Sequence, residues 1–308
     1  MIRHLQVQVG DASIHVAETG PADAPAFLLV HGWPESWRTW QDLMLLADRP
    51  GEATTASATA SRLLAIDLPG IGASTRGTTG AAKAAIAEVL RGLIEALRPR
   101  DLTLVGHDIG GMVVYAYLRQ FADLPRAVIM DVPIPGVEPW DDFVRAPFLW
   151  HFALHAVPQL PEILTTGKQE AYFGYFYDLL SGHPGIPRAQ SRADQAAAYG
   201  SPGALTTGFD WYRAFPDDVE HNLEASHGAA ATPLLYLRGS AERGGDIAAY
   251  EAGFRRAGIS SIESATIEGS GHFPQEEATA RTWSLISAFA SESRRAPAHR
   301  AVQEGKQP

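Results

Sequence analysis

The 308-residue chain contains no cysteine. Disulfides, thiolate metal sites and cysteine nucleophiles are excluded together, and the composition is compatible with a reducing compartment. Basic charge is also scarce: 25 lysines and arginines face 35 aspartates and glutamates, for a formal net charge of -10. Without a basic field to neutralise phosphates, binding to nucleic acid or to anionic membranes is disfavoured. Long apolar runs are missing as well. No stretch approaches the ~20 apolar residues that span a bilayer. The N-terminal MIRHLQVQVGDASIHVAETG lacks the charged lead and apolar block of a secretory signal. The expectation is a cytoplasmic protein with no nucleic-acid or membrane partner.

What is present is a core of ordinary proportions, with 45% hydrophobic and 19% charged residues. MIRHLQVQV and SIHVAE alternate like an antiparallel strand pair. Short apolar runs then follow, AFLLV, RLLAI, LTLVG, AVIM, LLYLR and IESATI, separated by stretches of helical periodicity. Strands that are apolar at nearly every position must be buried on both faces, which predicts an α/β protein with a mostly parallel sheet covered by helices.

Between about Pro133 and Pro216 the alternation stops and aromatic residues crowd in, as FLWHFALH, EAYFGYFYDLL and GFDWYRAF. In the second of these, Phe173, Phe176, Tyr177 and Leu180 fall on one helical face. A helical insertion with aromatic inner faces has the form of a cap over an active site, although an ordinary helical subdomain would show the same stripes. The expected organisation is a core over residues 1–132, a helical cap over 133–216 and a second core part over 217–292. Ala47 to Arg62 is expected to be a polar surface loop, and residues 293–308 a charged, disordered tail.

The chemistry centres on LTLVGHDIGG. Gly106, His107, Asp108, Ile109, Gly110 and Gly111 form the pattern small-x-nucleophile-x-small-small between a strand and a helix. A nucleophile on such an elbow needs neighbours without bulky side chains, and the helix N-terminus behind it stabilises negative charge. Aspartate is also a favoured N-cap, so the elbow alone leaves two readings open. Two further segments favour the first. His31-Gly32-Trp33-Pro34 ends the third strand, where a backbone N–H can face an oxyanion, and His272 follows the last strand, where it can act as a general base.

With these motifs in the order nucleophile, acid, histidine, the chain resembles the epoxide hydrolases of the α/β-hydrolase fold, which carry His-Gly-x-Pro, Gly-His-Asp-x-Gly and a late Gly-His. VIMDVPIPGVEPW, WHFALH, GKQEAYF and WYRAF resemble the subgroup typified by the cystic fibrosis transmembrane regulator inhibitory factor. The resemblance covers residues 2 to 292. It implies an α/β-hydrolase fold with an inserted helical cap, no cofactor or metal, and a small-molecule epoxide as substrate, which the aromatic residues of the cap suggest is mostly apolar. A homodimer is compatible with it, and neither the substrate nor the oligomeric state is fixed by the sequence.

A carboxylate at the elbow suits such substrates. An ionised aspartate can displace a leaving group from a saturated carbon without a prior proton transfer, becoming an alkyl ester. His272 would then direct water at the Asp108 carboxyl carbon. The resemblance implies that the backbone N–H groups of Trp33 and Ile109 hold the oxyanion. It also implies that Asp131, directly after AVIM, orients His272, with Glu242 and Asp246 as lower-ranked alternatives after the next strand. Finally, it implies that Tyr212 and His151 hold and protonate the epoxide oxygen.

Two other functions compete. A dehalogenase could use the same nucleophile, but Ile109 stands where haloalkane dehalogenases usually have a halide-gripping tryptophan. Ile109 and Met112 stand where fluoroacetate dehalogenases carry arginines. A ligand-binding protein without turnover has no need for nucleophile, base and proton donor together. His151 and His155 have a metal-ligand spacing but no third ligand. GIGAST, Gly70 to Thr75, lacks the last glycine and the helix of a dinucleotide loop. His107 is expected to brace the elbow rather than to react.

Overall fold

The computed structural model describes residues 1–48, 60–121, 123–225 and 230–295. All eight strands expected from the sequence form, and they join in one sheet. They are β1 (Arg3–Val9), β2 (Ala12–Thr19), β3 (Ala26–Val30), β4 (Arg62–Ile66), β5 (Thr103–His107), β6 (Arg126–Met130), β7 (Leu234–Gly239) and β8 (Ile262–Ile267). The order across the sheet is β1-β2-β4-β3-β5-β6-β7-β8. β1 and β2 are antiparallel to their neighbours, and β3 through β8 are parallel. Burial follows the sequence logic. The central strands β3, β4, β5 and β6 are buried at every position, whereas β1, at the sheet edge, alternates between exposed and half-buried residues.

The first helices are α1 (Gln41–Ala47), α2 (Lys83–Leu97) and α3 (Ile109–Gln120). In α2 the buried residues Ile86, Ala87, Leu90 and Leu93 recur at three- and four-residue intervals, the stripe of a helix lying on a sheet. In α3 every residue from Ile109 to Leu118 is buried. Among the described residues, the segment between β6 and β7 contains seven α-helices: α4 (Trp140–Val144), α5 (Trp150–Ala156), α6 (Leu160–Thr165), α7 (Gln169–Leu180), α8 (Ala189–Ala198), α9 (Pro202–Arg213) and α10 (Phe215–Ala225). The last of these crosses the boundary expected at residue 216. The chain closes with α11 (Ile247–Arg256), α12 (Pro274–Glu277) and α13 (Thr279–Arg295).

The apolar interior divides between the two faces of the sheet. One cluster joins α2, α3 and the inserted helices, and the other joins Trp40, Leu43 and Met44 to Trp283, Ile286 and Phe289 of α13. A buried ion pair fastens the insertion to the core. Lys83 Nζ lies 2.7 Å from Asp218 Oδ2 on α10, and the Lys83 backbone N–H donates to Asp218 Oδ1 at 2.8 Å. The same ammonium donates to the Trp211 carbonyl and sits 4.5 Å over the Phe215 ring.

The polar loop expected at Ala47 to Arg62 lies mostly outside the described residues, as does the tail beyond Arg295. Helix α13 reaches Arg295, so the first three residues assigned to the tail are helical. No helix among the described residues is long and apolar enough to cross a membrane.

Candidate active site

The elbow between β5 and α3 is built as its sequence requires. Asp108 has φ 50° and ψ -124°, outside the helical region, and its side chain does not cap α3. That removes the N-cap reading. Two glycines make the geometry possible by close approach. A Cβ on Gly32 would lie 2.4 Å from Asp108 Cβ, and one on Gly110 would lie 2.3 Å from the Val30 carbonyl oxygen. The Trp33 N–H donates to Asp108 Oδ1 at 2.8 Å. Ile109 is the first residue of α3, so its N–H belongs to the N-terminal set that has no partner within the helix.

His272, on the loop after β8, points Nε2 at Asp108 Oδ2 across 3.6 Å. Burial opposes ionisation of Asp108. The hydrogen bond and charge of His272, helped by His107 and the Trp33 N–H, nevertheless hold its carboxyl below the usual range. For His272, burial lowers the pKa, but Glu242 first and then Asp108 and Asp131 raise it to about 10. The resting site therefore pairs an aspartate anion with an imidazolium.

The structure places both candidate acids in the cavity with His272. Glu242 Oε2 lies 3.6 Å from His272 Nδ1, while Asp131 Oδ1 accepts from the Gly239 N–H at 2.9 Å. The position of Glu242 comes from the loop after β7. There the Glu242 N–H turns back to the Gly239 carbonyl at 3.2 Å, which carries the glutamate inward. Asp246 is not part of the site, since it is exposed and caps α11 through the Ala248 N–H.

Tyr212 on α9 and His151 on α5 line the same cavity as Asp108 and His272, along with Phe148, Phe152, Phe176 and Phe273. The cavity measures about 40 Å³. The rings of His151 and Tyr212 are 5.9 Å apart, and Trp33 stacks on His151 at 6.2 Å. Burial pushes His151 down to about 3 and Tyr212 well above its ordinary value. Both are thus neutral, and each can donate a hydrogen bond into the cavity. His155 is occupied with the Tyr172 hydroxyl at 2.8 Å, and Trp211 is packed in the core. Among the described residues no cluster of three potential metal ligands occurs.

His107 braces the elbow, and its partner Glu35 is a residue the sequence reading missed. His107 Nδ1 donates to Glu35 Oε2 at 2.8 Å, and Nε2 donates to the His272 carbonyl at 2.6 Å. Two acceptors require two ring protons, so His107 is an imidazolium buried against a carboxylate. Burial lowers its pKa, but the Glu35 charge outweighs that and the value is raised. Glu35 also accepts from the Gly32 N–H at 2.9 Å, from Thr39 at 2.7 Å and from Gln275 at 2.8 Å. One buried carboxylate thereby ties the His-Gly turn, the elbow and the His272 loop together. The sequence signal was a lone Glu three residues after Gly32, which reads as an ordinary surface charge.

A carboxylate on a strand-to-helix elbow, faced by a late histidine with acids behind it, stands where an α/β-hydrolase carries its nucleophile. Residues 27–284 match the alpha/beta hydrolase family, and the chain belongs to it. It is 25% identical over 283 residues to the soluble epoxide hydrolase of Corynebacterium sp. (strain C12), covering 90% of this chain and 93% of that one. The Cfl2 structure from Burkholderia cenocepacia is 29% identical with a TM-score of 0.78, covering 96% of this chain and 95% of that one. The epoxide hydrolase CorEH shares the fold at a TM-score of 0.82 and 23% identity, covering 95% and 99% respectively.

Proposed function

We propose that the protein is an epoxide hydrolase that opens a small, mostly apolar epoxide to a vicinal diol through an ester on Asp108. One observation carries this reading. Asp108 is anchored through Oδ1, with Oδ2 turned toward His272, in a cavity that also holds two neutral hydrogen-bond donors from the inserted helices, which we treat as a cap.

In the first step Asp108 Oδ2 attacks an epoxide carbon and the C–O bond breaks. Tyr212 and His151 donate hydrogen bonds to the departing oxygen, and Tyr212 supplies its proton. His151, being neutral, holds the oxygen but has no second proton to give. In the second step the His272 imidazolium, no longer facing an Asp108 charge, gives up its proton to the Tyr212 phenolate by way of solvent; the neutral imidazole then takes a proton from water, and that water attacks the Asp108 carboxyl carbon. The Trp33 and Ile109 N–H groups hold the tetrahedral oxyanion. Collapse releases the diol, whose oxygen takes the remaining water proton, and restores the Asp108 carboxylate and the His272 imidazolium. Epoxide and water are consumed, one diol forms, and no cofactor is required. The aromatic walls favour an apolar substituent, and the cysteine-free composition suits a cytoplasmic setting.

The test is intact-protein mass spectrometry of His272→Gln after exposure to apolar epoxides and, separately, to alkyl halides. A gain of one whole epoxide on the peptide carrying Asp108 supports the reading. A gain of a halide-stripped alkyl group instead assigns the dehalogenase chemistry. Binding of epoxides with no adduct would mark a ligand-binding protein.

A further inference from the structure

A relay histidine needs one carboxylate behind it, and this site has two. Asp131 leaves β6 at φ 46°, a left-handed conformation uncommon for aspartate, and its N–H is tied to the Leu237 carbonyl at 3.0 Å. Its Oδ1 is satisfied by the Gly239 N–H, on the same turn that carries Glu242. Three buried polar atoms in this corner have no hydrogen-bond partner: Asp131 Oδ2, Glu242 Oε2 and His272 Nδ1. All three residues line the one cavity. Glu242 Oε2 and His272 Nδ1 face each other at 3.6 Å, longer than a hydrogen bond, and Asp131 Oδ2 lines the same cavity; buried polar atoms are nearly always paired, so this corner marks a place where a proton has more than one owner.

Charge balance leads to the same conclusion. With both acids ionised, they and Asp108 would set three negative charges around the His272 imidazolium. The other charges facing Glu242 are Arg238 and His107, and Asp131 faces His107 as well. His107 is already neutralised by Glu35. Arg238 is directed to the Arg243 carbonyl and the Tyr250 ring. Two carboxylates in such a site ionise together only at high cost.

We propose that Asp131 and Glu242 serve His272 as one proton-sharing acid pair, either member of which can orient the imidazole when the other is neutralised. Both are positioning residues, since they act on the ester only through His272. Burial and then the Glu242 charge push the Asp131 carboxyl up to about 7, while burial raises Glu242. The pair thus gives up its second proton near neutrality. The inference rests on the ester mechanism proposed above.

The experiment compares Asp131→Asn, Glu242→Gln and the double variant, following ester formation by mass spectrometry and ester decay by rapid quench. Each single change is expected to slow ester hydrolysis about three- to tenfold, and the double change by about 10³-fold or more, because members of one unit are not additive. Ester formation in every variant shows that it is folded and that the underlying mechanism holds. The wild-type pH profile of ester hydrolysis is expected to carry an inflection near neutrality that both single variants lose. A single variant as slow as the double one would overturn the pair and leave one relay acid. If no variant, His272→Gln included, accumulates an ester on Asp108, the mechanism falls and the pair falls with it.

Discussion

The Trp33 N–H donates to Asp108 Oδ1 at 2.8 Å, which leaves Oδ2 as the oxygen facing His272. Attack through Oδ2 has a consequence for atoms rather than rates. On the proposed mechanism water strikes the carboxyl carbon, so in a single turnover in ¹⁸O-water the label should enter Asp108 and not the diol. Digestion and mass measurement of the Asp108 peptide check this. Label in the diol alone would mean that water attacks the epoxide directly.

Removing the nucleophile and removing the base should fail differently. Asp108→Ala is expected to abolish turnover with no covalent species. His272→Gln is expected to form the ester and stall, which intact mass would show within one enzyme equivalent of epoxide. Sustained turnover in His272→Gln would refute the two-step scheme.

Tyr212→Phe takes away the proton donor of the first step and should slow alkylation by ~10²-fold or more. Pre-steady-state quenching separates the two steps. A defect confined to ester hydrolysis would assign Tyr212 a different role.

The pH dependence follows from His272. It is held protonated up to about 10 in the resting site, first through Glu242 and then through Asp108. Esterification removes the Asp108 charge, so the imidazole releases its proton at a lower pH in the intermediate. Ester hydrolysis should therefore rise with pH and level off below 10, as stopped-flow measurement would show. The raised value also stabilises the folded protein. That contribution is complete below the ordinary value of 6.5 and is lost as pH climbs toward 10.

Stability should depend on the ion pair joining α2 to α10. Asp218→Ala strands the Lys83 ammonium in the interior, where burial already lowers its pKa, and a broken buried pair costs ~3–5 kcal/mol. Urea unfolding checks this. Replacing both residues, Lys83 by Met and Asp218 by Leu, should restore much of the loss.

What could be read from the sequence was what short range determines. Asp108 and the His31-Gly32 turn were legible because each sits within a few residues of a strand end and is framed by glycines that the geometry demands. The parallel strands were legible because double-sided burial leaves no room for polar residues. The place of Glu242 beside His272 was not, because it is reached only through a turn closed on Gly239, and nothing local distinguishes it from Asp246, which ended as a helix cap. Glu35 was hidden for a similar reason. Its partners Thr39, His107 and Gln275 lie up to 240 residues away in the chain, and burial of a charge is a property of the assembled neighbourhood. His151 depended on how α5 packs against Trp33 and Phe176, which residue spacing does not encode.

The cavity is walled by Phe152 of α5, Phe176 of α7 and Tyr212 of α9, with Asp108 and His272 in the same lining. On the proposed reading a substrate passes between these rings before chemistry can begin, and the diol passes them again on leaving. Turnover would then depend on how readily α5, α7 and α9 make way as well as on bond making. Selectivity would be exercised partly at the door, by which molecules can prise apart Phe152, Phe176 and Tyr212, and only afterwards by the carboxylate that waits behind them.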